Sequence, residues 1–311
     1  MATVESMRAT VRPIAAASAA PALVGRLGPW QLVRLLSEGN LTRVYLARPV
    51  AEAASPSDEE AAPRPASYVI KLLRKEWWRD PQAIDMQRRE AWVGTKVSHP
   101  NLLPVLSACV EEPPFYVVTP KLDGVTLSYL VSERGPLAVP LSLWIARQTA
   151  EALEALAEAA GTIHTDVNPS NILVSPLGHA TLIDFGLAQT PSEASRWQNR
   201  PLAGTLAYIA PEMITSALSA DAKSDTYSLG VTLFEMLTGR RPCESEDPAE
   251  LATFHREAKP ADVRTLRPEV PAPVAELVQS MLAKDPLRRP GSAEELVARL
   301  IRLEIDSFSL R

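Results

Sequence analysis

The sequence predicts an α+β protein of two lobes, a small β-rich one carrying one main helix and a larger, mainly helical one. Three observations predict it. Up to residue 120 the chain carries short β-patterned segments bounded by Gly, Pro and polar clusters. Beyond that point apolar residues recur at helical spacing. The 311 residues, 46% hydrophobic and 22% charged, suffice for a large core and favour two packed lobes over one.

Taken in order, residues 1–27 read as a flexible Ala-rich leader. Ile14 to Val24 is apolar and follows Arg8 and Arg12, the order of a secretory signal, but Glu5 and the interruptions at Pro13 and Pro21 argue against export. Trp30 to Leu36 and Arg43 to Ala47 read as paired strands, and Tyr68 to Leu72 as a third. Between them lies a segment from Pro49 to Pro65 rich in Pro, Ala and Glu. Such an insert, residues 49–66, has too few large apolar side chains to offset its ordering entropy and is expected to be disordered. A helix is expected at Pro81 to Val97, then strands at Leu102 to Cys109 and Phe115 to Thr119. In the second half Val274, Leu277, Val278, Met281 and Leu282 repeat at helical spacing and form one buried stripe. Ser292-Ala293-Glu294-Glu295 has the capping-box pattern of a helix start.

The chemistry is concentrated in His164-Thr165-Asp166-Val167-Asn168-Pro169-Ser170-Asn171, followed by Asp184-Phe185-Gly186. Ile172 to Val174, a turn at Gly178 and Thr181 to Ile183 read as a hairpin that brings Asn171 and Asp184 together. Two carboxylates and a carboxamide so spaced suit a hydroxyl nucleophile and a metal-bound nucleoside triphosphate, because phosphoryl transfer asks the protein for positioning and charge neutralisation. Asn171 and Asp184 are hard oxygen donors of the kind Mg²⁺ prefers. The net charge of -5 leaves no basic footprint for nucleic acid. Cys109 and Cys243 lack metal-ligand or redox spacing, and no segment has the roughly 20 apolar residues of a membrane span. A cytoplasmic, stand-alone catalytic module is the expectation. His164 is expected to pack beneath its loop, His99 to sit in a turn, and His179 and His255 to be exposed. Trp77, Trp78 and Trp92 read as packing residues.

These motifs resemble the catalytic and metal-binding loops of the protein kinase family, in its bacterial, eukaryotic-like serine/threonine branch, over roughly residues 28–303. The resemblance implies a protein-kinase-like fold with an N-lobe at 28–119, a hinge at 120–122, a C-lobe at 123–303 and a tail at 304–311. It implies Asp166 as catalytic base or orienter, with Asn171 and Asp184 as Mg²⁺ ligands. Lys71 would hold the ATP phosphates, aimed by Glu90. Ala210-Pro211-Glu212 with Arg289 and the helix-start Asp225 resemble the landmarks that receive a peptide, so protein is the implied substrate. Gly204-Thr205-Leu206-Ala207-Tyr208 points to Ser/Thr hydroxyls. Thr119 would limit the adenine pocket, and Leu122 would supply the hinge donor because Pro120 has no N–H.

The sequence also departs from the family. Aligned on Val44, the three glycine positions of the phosphate loop hold Ser37, Gly39 and Thr42, so side chains stand where backbone approaches phosphate. Thr165 replaces an arginine that docks activation-segment phosphate. Asn168, counted with the catalytic residues, replaces a lysine and brings no charge to the transferred phosphoryl group. Thr190, Ser192 and Ser195 offer hydroxyls for autophosphorylation. Two readings stand: an active kinase using ATP and Mg²⁺, or a pseudokinase scaffold binding nucleotide or a partner. A small-molecule kinase is disfavoured by Glu212, Asp225 and Arg289, and the sequence permits a dimer.

Overall fold

The computed structural model describes residues 25–50, 65–190, 206–215 and 220–309. The chain divides into two compact units, Met1–Thr95 with Pro104–Leu122, and Lys96–Leu103 with Asp123–Arg311. Most of the expected leader and insert, together with Ser192, Ser195, Gly204 and Thr205, lies outside the described residues.

The first unit is built on six antiparallel strands: β1 (Gly25–Leu27), β2 (Trp30–Glu38), β3 (Thr42–Pro49), β4 (Tyr68–Leu73), β5 (Ser107–Cys109) and β6 (Tyr116–Pro120), in the order β1-β2-β3-β4-β6-β5. Alternation along β2, β3 and β4 puts Leu32, Tyr45, Ala47 and Ile70 into one core cluster with Val118 of β6. The helix α1 (Pro81–Lys96) packs on the sheet through Ala91, which shares a cluster with Val105 and Val117. A Cβ on Gly94 would lie 2.4 Å from Val105 Cγ2, so only glycine allows this approach. Leu73, Ala83 and Phe115 form a further cluster against which Trp77 and Trp78 pack, as expected of them.

The strand expected from Leu102 to Cys109 is shortened to Ser107–Cys109. Pro104 has no N–H to give a ladder, and Leu102 instead bridges Leu182 in the second unit, where Leu103 N–H donates to the Leu182 carbonyl.

In the second unit β7 (Val125–Thr126), β8 (Ile172–Val174) and β9 (Ala180–Leu182) form a small antiparallel sheet. Gly178 at φ 80° makes the expected turn between β8 and β9. The helices are α2 (Leu127–Arg134), α3 (Val139–Ala160), α4 (Pro211–Thr215), α5 (Ala222–Thr238), α6 (Pro248–Glu257), α7 (Ala272–Met281) and α8 (Ala293–Ser309). The centre is α5, buried without interruption from Ser224 to Phe234 and therefore enclosed by other elements on all sides. Asp221 starts it with a reciprocal capping box to Ser224, and Gly239 ends it in the left-handed conformation. A Cβ on Gly230 would lie 2.8 Å from Met281 Cβ, which sets how closely α5 and α7 approach. The α7 stripe is buried as its spacing predicts.

Two sequence expectations need adjustment here. Helix α8 continues past residue 303 to Ser309. At its start Ser292 accepts from Glu295 N–H, but the Glu295 carboxylate accepts from Gly291 N–H instead of closing the box on Ser292. His255 is wholly buried, not exposed: it falls one turn after Leu251 on the inner face of α6, and its Nδ1 meets the Tyr227 hydroxyl at 2.9 Å. His179 is exposed as expected. Among the described residues no helix is long and apolar enough to cross a membrane.

Candidate active site

In the first unit, antiparallel register aligns the expected nucleotide-facing residues. Ser37 of β2 lies opposite Val44 of β3, and Val44 lies opposite Lys71 of β4. Gly39 is at the turn, where its N–H donates to Thr42 O at 2.8 Å, and Thr42 opens β3. Gly39 has no positive φ, and an added Cβ would meet nothing nearer than Thr42 O at 3.6 Å, so the turn does not itself demand glycine. Lys71 Nζ and Glu90 Oε2 are 2.7 Å apart, with Glu90 only 5% exposed on α1. Sequence reasoning missed Gln87, one turn earlier and equally buried, whose amide donates to the Lys71 carbonyl at 3.4 Å. Thr119 is buried on β6 opposite Val69. At the hinge Lys121 N–H is taken by Ser67 O, whereas Leu122 N–H has no hydrogen-bond partner among the described residues and is available as the expected donor.

In the second unit the catalytic loop is fixed from beneath by Asp225 at the start of α5. Its Oδ2 accepts from His164 N–H at 2.7 Å and its Oδ1 from Thr165 N–H at 2.8 Å. Those bonds hold Thr165 at φ 66°, a conformation costly for a β-branched residue, by roughly 1–3 kcal/mol. Burial pushes the Asp225 carboxyl up to about 7, against the pull of the two N–H donors. Thr165 Oγ1 donates to Leu187 O at 2.8 Å, so the residue standing in place of arginine ties the loop to the segment after Asp184 by a neutral bond. His164 is fully buried, as expected. Burial pushes it down to about 4, and its neutral ring accepts Asp166 N–H at Nδ1 and donates from Nε2 to Ile183 O.

Asp166 is gripped by two carboxamides. Asn168 Nδ2 donates to Asp166 Oδ1 at 3.1 Å and Asn171 Nδ2 donates to Asp166 Oδ2 at 2.8 Å, while both also reach the Asp166 main-chain carbonyl. Asn168 Oδ1 accepts from Ser170 N–H at 2.9 Å and caps the short turn Pro169–Asn171. Both ends of Asn168 are thus used inside the loop. Its amide nitrogen is turned to Asp166 and its oxygen to Ser170 N–H. The single-turn linkage of β8 and β9 carries Asp184 close to Asn171, with Ile183 N–H donating to Asn171 O at 2.9 Å. Asp184 adopts φ 67°. The hydrogen bonds of Asn171 to Asp166 use its Nδ2 and leave its Oδ1, and a carboxamide and a carboxylate oxygen from Asn171 and Asp184 are hard donors whose chemistry fits Mg²⁺.

Below the loop, Arg289 grips Glu212 of α4 with two bonds, Nη1 to Oε1 at 2.7 Å and Nη2 to Oε2 at 2.8 Å. Burial opposes ionisation of Glu212, but the Arg289 and Ser224 hydrogen bonds outweigh it and hold the carboxyl below its usual range. Tyr208 donates to Glu235 of α5, and burial, followed by that neighbouring charge, raises the phenol far above its ordinary value. Glu235 was not anticipated. Its signal was a lone acid within the apolar run Leu233-Phe234-Glu235-Met236-Leu237.

A family model described as the protein kinase domain matches residues 61–300. The chain belongs to the protein kinase family. The kinase match begins beyond Ser37, Gly39 and Thr42, the stretch where the sequence departs from the family pattern. Serine/threonine-protein kinase PrkC of Bacillus subtilis is 32% identical over 271 residues, 87% of this chain and 40% of the relative. Serine/threonine-protein kinase PknB of Mycobacterium tuberculosis is 30% identical over 280 residues, 88% of this chain and 42% of the relative. The chain therefore spans about two fifths of the length of these curated relatives. The PknI kinase domain of Mycobacterium tuberculosis matches in fold with a TM-score of 0.63 at 23% identity, over 92% of this chain and 98% of that one.

Proposed function

We propose that this kinase transfers the γ-phosphoryl group of MgATP to serine or threonine hydroxyls of proteins. The observation that carries the reading is the grip on Asp166: both carboxylate oxygens are fixed by the amide nitrogens of Asn168 and Asn171, which leaves the Asn171 oxygen out of that grip. Bound MgATP supplies the phosphoryl group and the charge-neutralising metal. Asn171 and Asp184 would hold the metal. Lys71, aimed by Glu90, would hold phosphate, and Leu122 would donate to adenine with Thr119 behind it. Asp166 orients the acceptor hydroxyl and takes its proton, while Asn168 fixes the Asp166 rotamer. The Glu212–Arg289 pair and the Tyr208–Glu235 bond support a peptide-receiving segment more than a small-molecule pocket. ATP use supports a cytoplasmic location, and the net charge of -5 speaks against nucleic acid as partner.

A pseudokinase scaffold is favoured by one specific observation: Ser37 and Thr42 replace phosphate-loop glycines. Labelled MgATP with a generic basic protein decides between the two readings. Incorporation that disappears in Asp166→Asn establishes the enzyme. Nucleotide binding without incorporation establishes the scaffold.

A further inference from the structure

Helix α6 packs against the turn Leu206–Tyr208 and against α4, two parts of the segment that the kinase reading assigns to the incoming peptide. That segment has two anchors already, Glu212 on Arg289 and Tyr208 on Glu235. On α6 His255 is fully buried, its ring edge-on to Tyr227 and Phe254 with centroids 5.7 and 5.5 Å away. Lys284 Nζ donates to the Tyr227 hydroxyl at 2.9 Å and to Phe254 O at 3.1 Å. Arg289, which grips Glu212, covers the Tyr227 ring with its Cζ 5.0 Å from the centroid.

These contacts assign the imidazole proton. The Tyr227 oxygen accepts from Lys284, and among the described residues its own proton has one acceptor, His255 Nδ1 at 2.9 Å. With Nδ1 accepting, a neutral ring carries its hydrogen on Nε2. The ring is neutral near pH 7, because burial and then the Lys284 charge push it down to about 4. His255 Nε2 is buried and completes no hydrogen bond of good geometry. An N–H so enclosed calls for an acceptor. The Ala207 carbonyl is the group that pulls the His255 value upward, as an acceptor facing the ring does.

We propose that His255 is a positioning residue that latches the turn Leu206–Tyr208 for the protein substrate, by donating from Nε2 to the Ala207 carbonyl. The inference rests on the kinase reading. Lys284 and Tyr227 stand behind the latch: the ammonium fixes the phenol, the phenol fixes the tautomer, and the tautomer aims the donor. Ala207 precedes Tyr208, whose hydroxyl is held by Glu235 of α5. Adjacent residues are thereby tied to two different helices, and the turn loses its freedom to pivot about either bond alone.

Two substitutions separate the latch from plain packing. A glutamine amide reaches as far as Nε2 and an asparagine amide only as far as Nδ1, so His255→Gln keeps a donor for Ala207 and His255→Asn keeps only the side that meets Tyr227. With a generic basic protein as substrate, the KM for protein should rise about tenfold in His255→Asn, the scale of one hydrogen bond, and return to within about twofold of the parent in His255→Gln. The KM for MgATP should move in neither. A KM for protein raised equally in both variants overturns the latch, because loss of the packed ring then explains it, and a KM unchanged in both overturns it too. Nitrogen NMR of the histidine-labelled parent, assigned by the signals that His255→Gln removes, reads the tautomer without any need for activity. A protonated Nε2 and a bare Nδ1 are expected; the opposite tautomer overturns the proposal while leaving the kinase reading intact. A parent that transfers no phosphate fails the kinase reading and the positioning role with it, and the NMR still decides the tautomer.

Discussion

At the residue scale, Asn168 shows how one substitution changes role as well as charge. Its amide donates to Asp166 and its oxygen caps the following turn, so Asn168→Ala removes these two bonds and leaves the proposed metal ligands Asn171 and Asp184 in place. Turnover is expected to fall about tenfold to a hundredfold, the scale of a misplaced catalytic group, with little change in KM for MgATP; steady-state kinetics checks the split. Asp225 gives a second expectation. It accepts two N–H groups best when ionised, and burial, with Asp221 and Asp166 adding repulsion, raises its carboxyl to about 7. Activity should therefore rise with pH through about 7, and Asp225→Asn should lower and flatten that limb of the profile. The stability sign is opposite. The folded state keeps this proton more tightly than the unfolded one, so the contribution is full below about 4 and is lost as pH rises through about 7. The catalytic loop's residue types were legible in the sequence because phosphoryl transfer leaves few choices. The inward turn of Asn168 was not, since its spacing from Asp166 does not say which way a short amide faces.

At the scale of elements, periodicity served well where one face is buried and poorly where polar groups find buried partners. The α7 stripe was read from spacing alone. His255 was misread because imidazole has no fixed preference between water and a packed hydroxyl such as Tyr227. The shortened β5 was encoded in Pro104, a residue that denies a ladder its donor. The bonds from Arg74 to Gly39 O and from Trp77 to Asn40 O were invisible, because those carbonyls belong to a turn 35 and 37 positions earlier in the chain. The contact of α5 with α7 permits a direct test. Gly230→Ala drives a methyl into Met281 and should cost about 1–3 kcal/mol without altering helix content, measured as a lower denaturation midpoint at constant m-value.

At the scale of the whole molecule, acid resistance should be limited by two buried imidazoles. Burial lowers both His164 and His255 to about 4, and Lys284 adds to the effect at His255. A histidine whose folded value is depressed contributes stability that is present above about 6.5 and is lost as pH falls towards 4, on the order of 3 kcal/mol for each ring. Thermal midpoints should drop steeply between pH 6 and 4, and His255→Gln should make that slope shallower by removing one proton uptake. The two-lobed architecture was legible from composition and motif order. The buried charge arrangement was not, because pairs such as Glu212 and Arg289, which are 77 positions apart, meet only after folding.

The bond from Thr165 to Leu187 bears on timing. An enzyme whose loop must wait for a phosphate to dock starts slowly, and its lag shortens as more enzyme is present to modify its neighbours. Here the corresponding tether is a hydroxyl already in place. Progress curves from phosphatase-treated protein should run straight from the first seconds, with initial velocity proportional to enzyme concentration.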